Sequence, residues 1–281
     1  MSTSTDPAAS SQASQSGTSP TARPASGRAG GARTLAVTSG KGGVGKTFVT
    51  ANLAAALAAR GQKVLVLDAD LGLANLDVVL NLHPKLTLHD VFTDKATLEQ
   101  AILPAPGGFH VLLAGSGMVE YSRLTPEVRD RLLEIVETVR PRFDWILLDT
   151  GAGISDVVLF AVSLATQVLV VATPEPTSLT DAYATIKVLA TQQGRREVGL
   201  VVNQASRVGE GKLICGQLQQ VLQRFVGPQP GQTFRLDLMG EVKMDSVVRQ
   251  AVLKRQLVLE NFPGSDAAQC IKALANKLLE K

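Results

Sequence analysis

Two lysines within one glycine-rich stretch concentrate the chemistry of this chain. Residues Gly40 to Thr47 read Gly-Lys-Gly-Gly-Val-Gly-Lys-Thr, a complete G-x-x-x-x-G-K-[ST] phosphate loop with a second lysine, Lys41, directly after its first glycine. Gly40, Gly42, Gly43 and Gly45, with Val44 among them, let the backbone wrap an anion and turn its N–H groups inward. The start of a following helix adds fixed positive potential. In such a loop Lys46 reaches the β- and γ-phosphates of a nucleotide, and the Thr47 hydroxyl ligates Mg²⁺.

The flanking segments suit this task. Leu35–Ser39 is a short apolar run that reads as a buried parallel strand, and Thr47–Arg60, ending at Gly61, has helix composition with a glycine stop. Further strands are expected at Lys63–Leu67, Val111–Leu113, Trp145–Leu148, Val168–Val171 and Val198–Val202. Between them, Pro126–Arg140, Ser178–Gln193 and Gly209–Phe225 space their apolar residues as helices do. This alternation implies an α/β fold: a doubly wound, mostly parallel sheet flanked by helices, with ligands at the C-terminal strand ends.

That rule makes the strand-end acids informative. Asp149 closes an apolar strand, where an aspartate holds Mg²⁺ through water, and Asp68 and Asp70 follow another strand. An aspartate after a strand is often only a turn former. Three of them on strands flanking a phosphate loop favour the catalytic reading.

Composition sets the class. The chain has 281 residues and a net charge of +3. In residues 1–33, Arg23, Arg28 and Arg33 against Asp6 give +2, leaving about +1 for the rest, too little clustered charge for nucleic acid as partner. Cys215 and Cys270 stand far apart, indicating neither a disulfide framework nor a metal site. The longest apolar stretch, Leu159–Ala172, is interrupted by Ser163, Thr166 and Gln167 and is too short to span a bilayer. Residues 1–33 contain no Val, Ile, Leu or aromatic side chain and read as a disordered tail without a signal sequence. Residues 34–281 form the enzyme domain, and a cytoplasmic location follows.

Lys41, the segment "DADLGLANLD" (Asp68–Asp77) and the segment "DTGAGI" (Asp149–Ile154) resemble the deviant Walker-A ATPases of the MinD/ParA group. Within it the chain is most similar to the MinD-like flagellar regulators called FlhG or FleN, through "TPEPTSLTDAYATIK" (Thr173–Lys187) and the Met239–Ala268 run that includes "FPGSDAA". The resemblance spans Thr34 to the C-terminus. It implies an ATP-dependent homodimer that hydrolyses ATP with Mg²⁺, Lys41 reaching the phosphates of the second copy as an arginine finger does elsewhere. It implies further that Asp70 positions the attacking water, that Asn75 lies near the dimer seam, that the Gly153 N–H senses the γ-phosphate and that Asn203 recognises adenine. Thr47, Asp68 and Asp149 are the residues expected to hold the metal. Partners implied are a flagellar transcriptional activator, a flagellar GTPase or C-ring components, with the helix from Ser178 through Asp181, Tyr183 and Lys187 as the candidate surface.

The pattern is departed from at Phe48, where a small polar residue is frequent beside the α-phosphate, at Pro174 and at Lys243, where a proline commonly flanks the base. The tail also lacks the short motif with which some such proteins stimulate their GTPase partner. Asp266–Lys281 is amphipathic, with Ile271, Leu274 and Leu278 on one face and Lys272 and Lys277 mostly on the other. It either packs on the sheet, the reading we favour, or binds a membrane surface weakly. The rivals are a MinD-type division-site regulator at the membrane, a DNA-partition ParA, disfavoured by the near-neutral core, and an iron–sulfur scaffold, which needs closely spaced or seam-paired cysteines.

Overall fold

The computed structural model describes residues 31–72, 75–115, 121, 123–226 and 233–281. The expected disordered tail lies outside the described residues up to Gly30. Its last residue does not belong to it: Ala32 N–H donates to Arg140 O, and Arg33 already pairs with Trp145 in the sheet, its guanidinium 4.1 Å from the ring centre.

In chain order the elements are β1 (Arg33–Ser39), α1 (Lys46–Ala58), β2 (Val64–Ala69), α2 (Leu76–Leu80), α3 (Leu88–Phe92), α4 (Leu98–Ala101), β3 (Leu103–Pro104) and β4 (His110–Leu112). There follow α5 (Pro126–Val139), β5 (Trp145–Ala152), α6 (Asp156–Ser163), β6 (Gln167–Ala172), α7 (Pro176–Gln192), β7 (Glu197–Ala205), α8 (Glu210–Val226), β8 (Arg235–Lys243), α9 (Ser246–Leu253), α10 (Val258–Asn261) and α11 (Asp266–Glu280). Among the described residues the strands form one eight-stranded sheet in the order β3-β4-β2-β5-β1-β6-β7-β8, parallel throughout except for β3. This is the doubly wound α/β sheet expected from the alternating pattern. The strand carrying the phosphate loop is central, between β5 and β6, so the loop emerges where neighbouring strand ends converge.

Strand side chains alternate between two cores. On one face Ala36, Leu65, Ile146 and Val170 meet α5 to α8; on the other Leu35, Val66, Leu147 and Leu169 meet α1 and α11. The second face explains why α1 is apolar all round: sheet and α11 enclose it, and Phe48 to Leu57 are all buried.

The structure packs the C-terminal segment on the sheet. Ile271, Leu274 and Leu278 are 0–2 % exposed against the sheet, and Ser265 caps the helix by accepting the Ala268 N–H at 3.2 Å. Lys272 and Lys277, the expected cationic face, donate to Pro263 O and Leu238 O of their own chain. The apolar face of α11 is core, and no helix among the described residues is long and apolar enough to cross a membrane.

Candidate functional site

The loop between Ser39 and Lys46 is shaped by its glycines, for different reasons at each. A Cβ on Gly42 would meet nothing within 4 Å, so that glycine keeps a concave surface open rather than relieving a clash. Gly45 is left-handed at φ 92°, and a Cβ there would lie 2.3 Å from Asn203 Nδ2. Gly40 is a point of contact: its Cβ would sit 2.2 Å from the Asp181 carbonyl oxygen of α7. Helix α1 begins at Gly45 with no side-chain cap, which leaves its first N–H donors to an external acceptor. A cavity of about 600 Å³ opens over this cradle, lined by Gly42, Gly43, Lys46, Thr47, Asp70 and Asn75 among others.

Strands β2 and β5 bring the acids to it, in register at Asp68 and Asp149. Both are buried, at 1 % and 3 % exposure. Burial pushes Asp149 up to about 6 against the opposing hydrogen bonds from Thr47 and Thr50 and the charge of Lys46. Thr50 Oγ1 lies 2.9 Å from Asp149 Oδ1. Burial, and then the negative charge of Asp149, raises Asp68 well above the usual carboxylate range, although the Asp70 N–H donates to its Oδ1 at 3.2 Å. Asp68 Oδ2 has no partner. Burial lowers Lys46, with Asp149 and Asp70 opposing. One desolvated lysine beside this excess of carboxylate fits a site that takes a divalent cation together with an anionic ligand. Among the described residues no three His, Cys, Asp or Glu side chains converge to chelate an ion.

A strand-loop-helix anion cradle with acids from two adjacent parallel strands defines the chemistry, and comparison with known proteins supplies the family. The ParA family model, described as "NUBPL iron-transfer P-loop NTPase", matches residues 31–279. The chain belongs to the ParA family of P-loop NTPases. It is 42 % identical over 234 residues to the antiactivator FleN of Pseudomonas aeruginosa, covering 83 % of this chain and 81 % of that one. It is 31 % identical over 238 residues to the flagellum site-determining protein YlxH of Helicobacter pylori, covering 84 % and 78 %. Among solved structures it resembles the septum site-determining protein MinD from Pyrococcus horikoshii OT3 complexed with Mg-ADP, with a TM-score of 0.70, 30 % identity and coverage of 88 % and 96 %. Membership in this family supports ATPase activity, and the MinD complex shows that the fold takes nucleotide and Mg²⁺.

In this ParA-family chain the structure brings Lys46, Thr47, Asp68, Asp70 and Asp149 together, as their positions suggested; Gly151 stands close to Asp70, with its Cβ position 3.3 Å from Asp70 Oδ1. Asn75 leads into α2 and lines the same cavity. The Leu73–Ala74 step before it lies outside the described residues.

Three groups assigned to ligand or partner are engaged within the chain. Lys41 Nζ lies 3.0 Å from both Glu175 Oε2 and Thr177 Oγ1, at the start of α7. The Gly153 N–H donates to Ser39 O at 2.8 Å. Asn203 Nδ2 donates to Val44 O at 2.8 Å and so braces the loop from β7. Lys243, one of the departures, pairs with Asp266 at 2.8 Å, and Phe48 is packed at 8 % exposure along the cavity wall. The sequence reading missed Ser39, Thr50, Glu175 and Thr177. Thr50 was recoverable, one helical turn after Lys46 and therefore on its face; Glu175 and Thr177 lie more than 130 residues from Lys41 and gave no local signal.

Proposed function

We propose that this chain is an ATP-dependent dimerising switch that hydrolyses ATP slowly and regulates flagellar number, placement or assembly from the cytoplasm. The observation that carries the reading is the division of labour between the two loop lysines. Lys46 faces the carboxylates and the cradle, whereas Lys41 stands on the α7 side, held by two exposed polar groups it can leave at low cost.

In this reading the cradle N–H groups and Lys46 bind and orient the triphosphate. Thr47, Asp68 and Asp149 are the residues that would hold Mg²⁺, which would supply charge neutralisation. Asp70 orients the attacking water, which adds to the γ-phosphorus as the bond to the β–γ bridging oxygen breaks. Lys41 of a second copy balances charge on the departing oxygens. Asn75 lies near the seam and Asn203 contacts adenine. The likeness to FleN and YlxH points to flagellar partners: a transcriptional activator, a GTPase or C-ring components. The location is cytoplasmic, with a peripheral one on the inner face of the cell membrane in the ATP-bound dimer as the alternative, and the packed apolar face of α11 supports the former.

The test is size-exclusion chromatography with light scattering on Asp70→Ala. A stable dimer with ATP and a monomer with ADP are expected. A chain that stays monomeric with ATP, or whose turnover per molecule is unchanged on extreme dilution, overturns the reading.

A further inference from the structure

Ser39 occupies a position that none of the roles above uses. It is the last residue of β1, wholly buried, and lies beyond a slip in register: Val37 faces Asp149 but Ser39 faces Ala152. Two of its atoms hold two different parts of the site. Its carbonyl accepts the Gly153 N–H at 2.8 Å, and its hydroxyl donates to the Lys41 carbonyl at 2.7 Å. Gly153 is left-handed at φ 89° and has open space where a Cβ would be, so a backbone change there meets no steric block. On the other side of Ser39, Gly40 touches the Asp181 backbone, and Lys41 reaches Glu175 and Thr177 on the same helix. The Gly153 turn, the loop backbone and the start of α7 therefore meet at one residue.

We propose that Ser39 is a positioning residue that couples the state of the Gly153 switch to the placement of Lys41. This rests on the reading above, in which Gly153 answers to the terminal phosphate and Lys41 to a second copy. A terminal phosphate is an anionic acceptor, and bonds to it are roughly twice as strong as a neutral amide–carbonyl bond. It outcompetes the Ser39 carbonyl for the Gly153 N–H. The freed Ser39–Gly40 peptide can then turn, but Gly40 has no room to move towards α7. The turn is passed forward, and the Ser39 hydroxyl carries it to the Lys41 backbone. Without the hydroxyl the switch still moves, and Lys41 no longer follows.

The test uses the full chain with Mg²⁺ and either ADP or the non-hydrolysable analogue AMP-PNP. Hydrogen exchange is read on residues 41–45 and 151–155. In the wild type, exchanging ADP for AMP-PNP changes both segments. In Ser39→Ala the 151–155 response persists and the 41–45 response is lost, ADP affinity is unchanged, and turnover falls about 10- to 100-fold, the range for small misplacements of a catalytic group. Ser39→Thr, which keeps the hydroxyl, retains the linked response. The proposal is overturned if both segments of Ser39→Ala respond as in the wild type, or if the wild-type loop stays still when nucleotide binds. If Ser39→Ala does not fold, the wild-type segments and Ser39→Thr still decide. Absence of ATP turnover in the wild type would count against the proposed function, and the exchange data would judge Ser39 separately.

Discussion

Gly40→Ala and Gly42→Ala are chemically identical changes two residues apart, and the structure gives them opposite consequences. At Gly40 the new methyl falls 2.2 Å from the Asp181 carbonyl oxygen and 2.3 Å from its carbon, against ordinary contact at 3.4–4 Å. Both atoms are backbone of α7, so no side chain can swing away. Either the loop or the first turns of α7 must shift by more than an ångström. Overpacking of this kind costs about 1–3 kcal/mol, and a clash with backbone belongs at the upper end. At about 3 kcal/mol the melting temperature falls by roughly 6–12 °C for a domain of this size. At Gly42 the methyl meets nothing within 4 Å, and the fold is untouched or gains about 0.4–1 kcal/mol through the unfolded chain. The cost there appears only with ligand, because the methyl fills the surface on which phosphates rest. A loss of about 1.4 kcal/mol or more, a factor of ten or more in affinity, is expected. Differential scanning fluorimetry and titration with a fluorescent ADP separate the two. The reasoning is refuted if Gly40→Ala melts within about 2 °C of the wild type, or if Gly42→Ala binds ADP as the wild type does.

Lys41→Ala should leave the melting temperature of the nucleotide-free chain almost unchanged, because its ion pair with Glu175 is 39 % and 62 % exposed and such pairs contribute about 0–1 kcal/mol; it should abolish ATP-dependent dimers by light scattering, and dimers that persist would remove its role in trans. Leu274→Ala, at 1 % exposure, should cost about 2–5 kcal/mol in a denaturant titration, whereas a side chain reserved for lipid would cost nearly nothing in solution. Asp149 sets a pH dependence. Its folded value of about 6 exceeds the ordinary 3.8, so between these values the folded chain holds more protons than the unfolded one and stability falls as pH rises. The full effect is about 3 kcal/mol, present as stabilisation below about pH 4 and gone above about pH 6. The difference in unfolding free energy between wild type and Asp149→Asn should trace this slope without Mg²⁺, and Mg-ADP should bind more tightly as pH rises through the same window.

What the sequence made legible is what local chemistry demands. A glycine loop between an apolar run and an alanine-rich helix has one physical use, and the alternation of elements after it dictates a parallel sheet. Edges and ends were harder. β8 escaped notice because Arg235, Asp237, Glu241 and Lys243 interrupt its apolar residues; on the sheet edge Arg235 and Asp237 are paired with one another, with Glu197 and with Lys281. β5 runs on through Asp149 to Ala152, so four of the six residues of the Asp149–Ile154 segment are strand. The short helices α2 to α4, α9 and α10 are too brief for periodicity to declare them.

The resting partners of the switch groups were illegible for a deeper reason: each joins residues more than a hundred positions apart. They also change how switching should be understood. Lys41, Gly153 and Asn203 are not idle donors awaiting a nucleotide; each has a partner in its own chain. In the proposed reading, binding exchanges one hydrogen bond for another, and only the surplus is available to drive pairing. A neutral bond contributes about 0.5–1.5 kcal/mol and one to a charged group about 1.5–3 kcal/mol; the Gly153 N–H, leaving a carbonyl for a phosphate oxygen, gains on the order of 1 kcal/mol, whereas Lys41 leaves one anion for another and Asn203 one neutral acceptor for another. An exchange of that size shifts a two-state equilibrium by roughly fivefold. In the proposed reading this tilts the balance towards the paired form with a terminal phosphate present, and losing that phosphate restores the internal partners. A switch built by exchange resets without unfolding any part of the site.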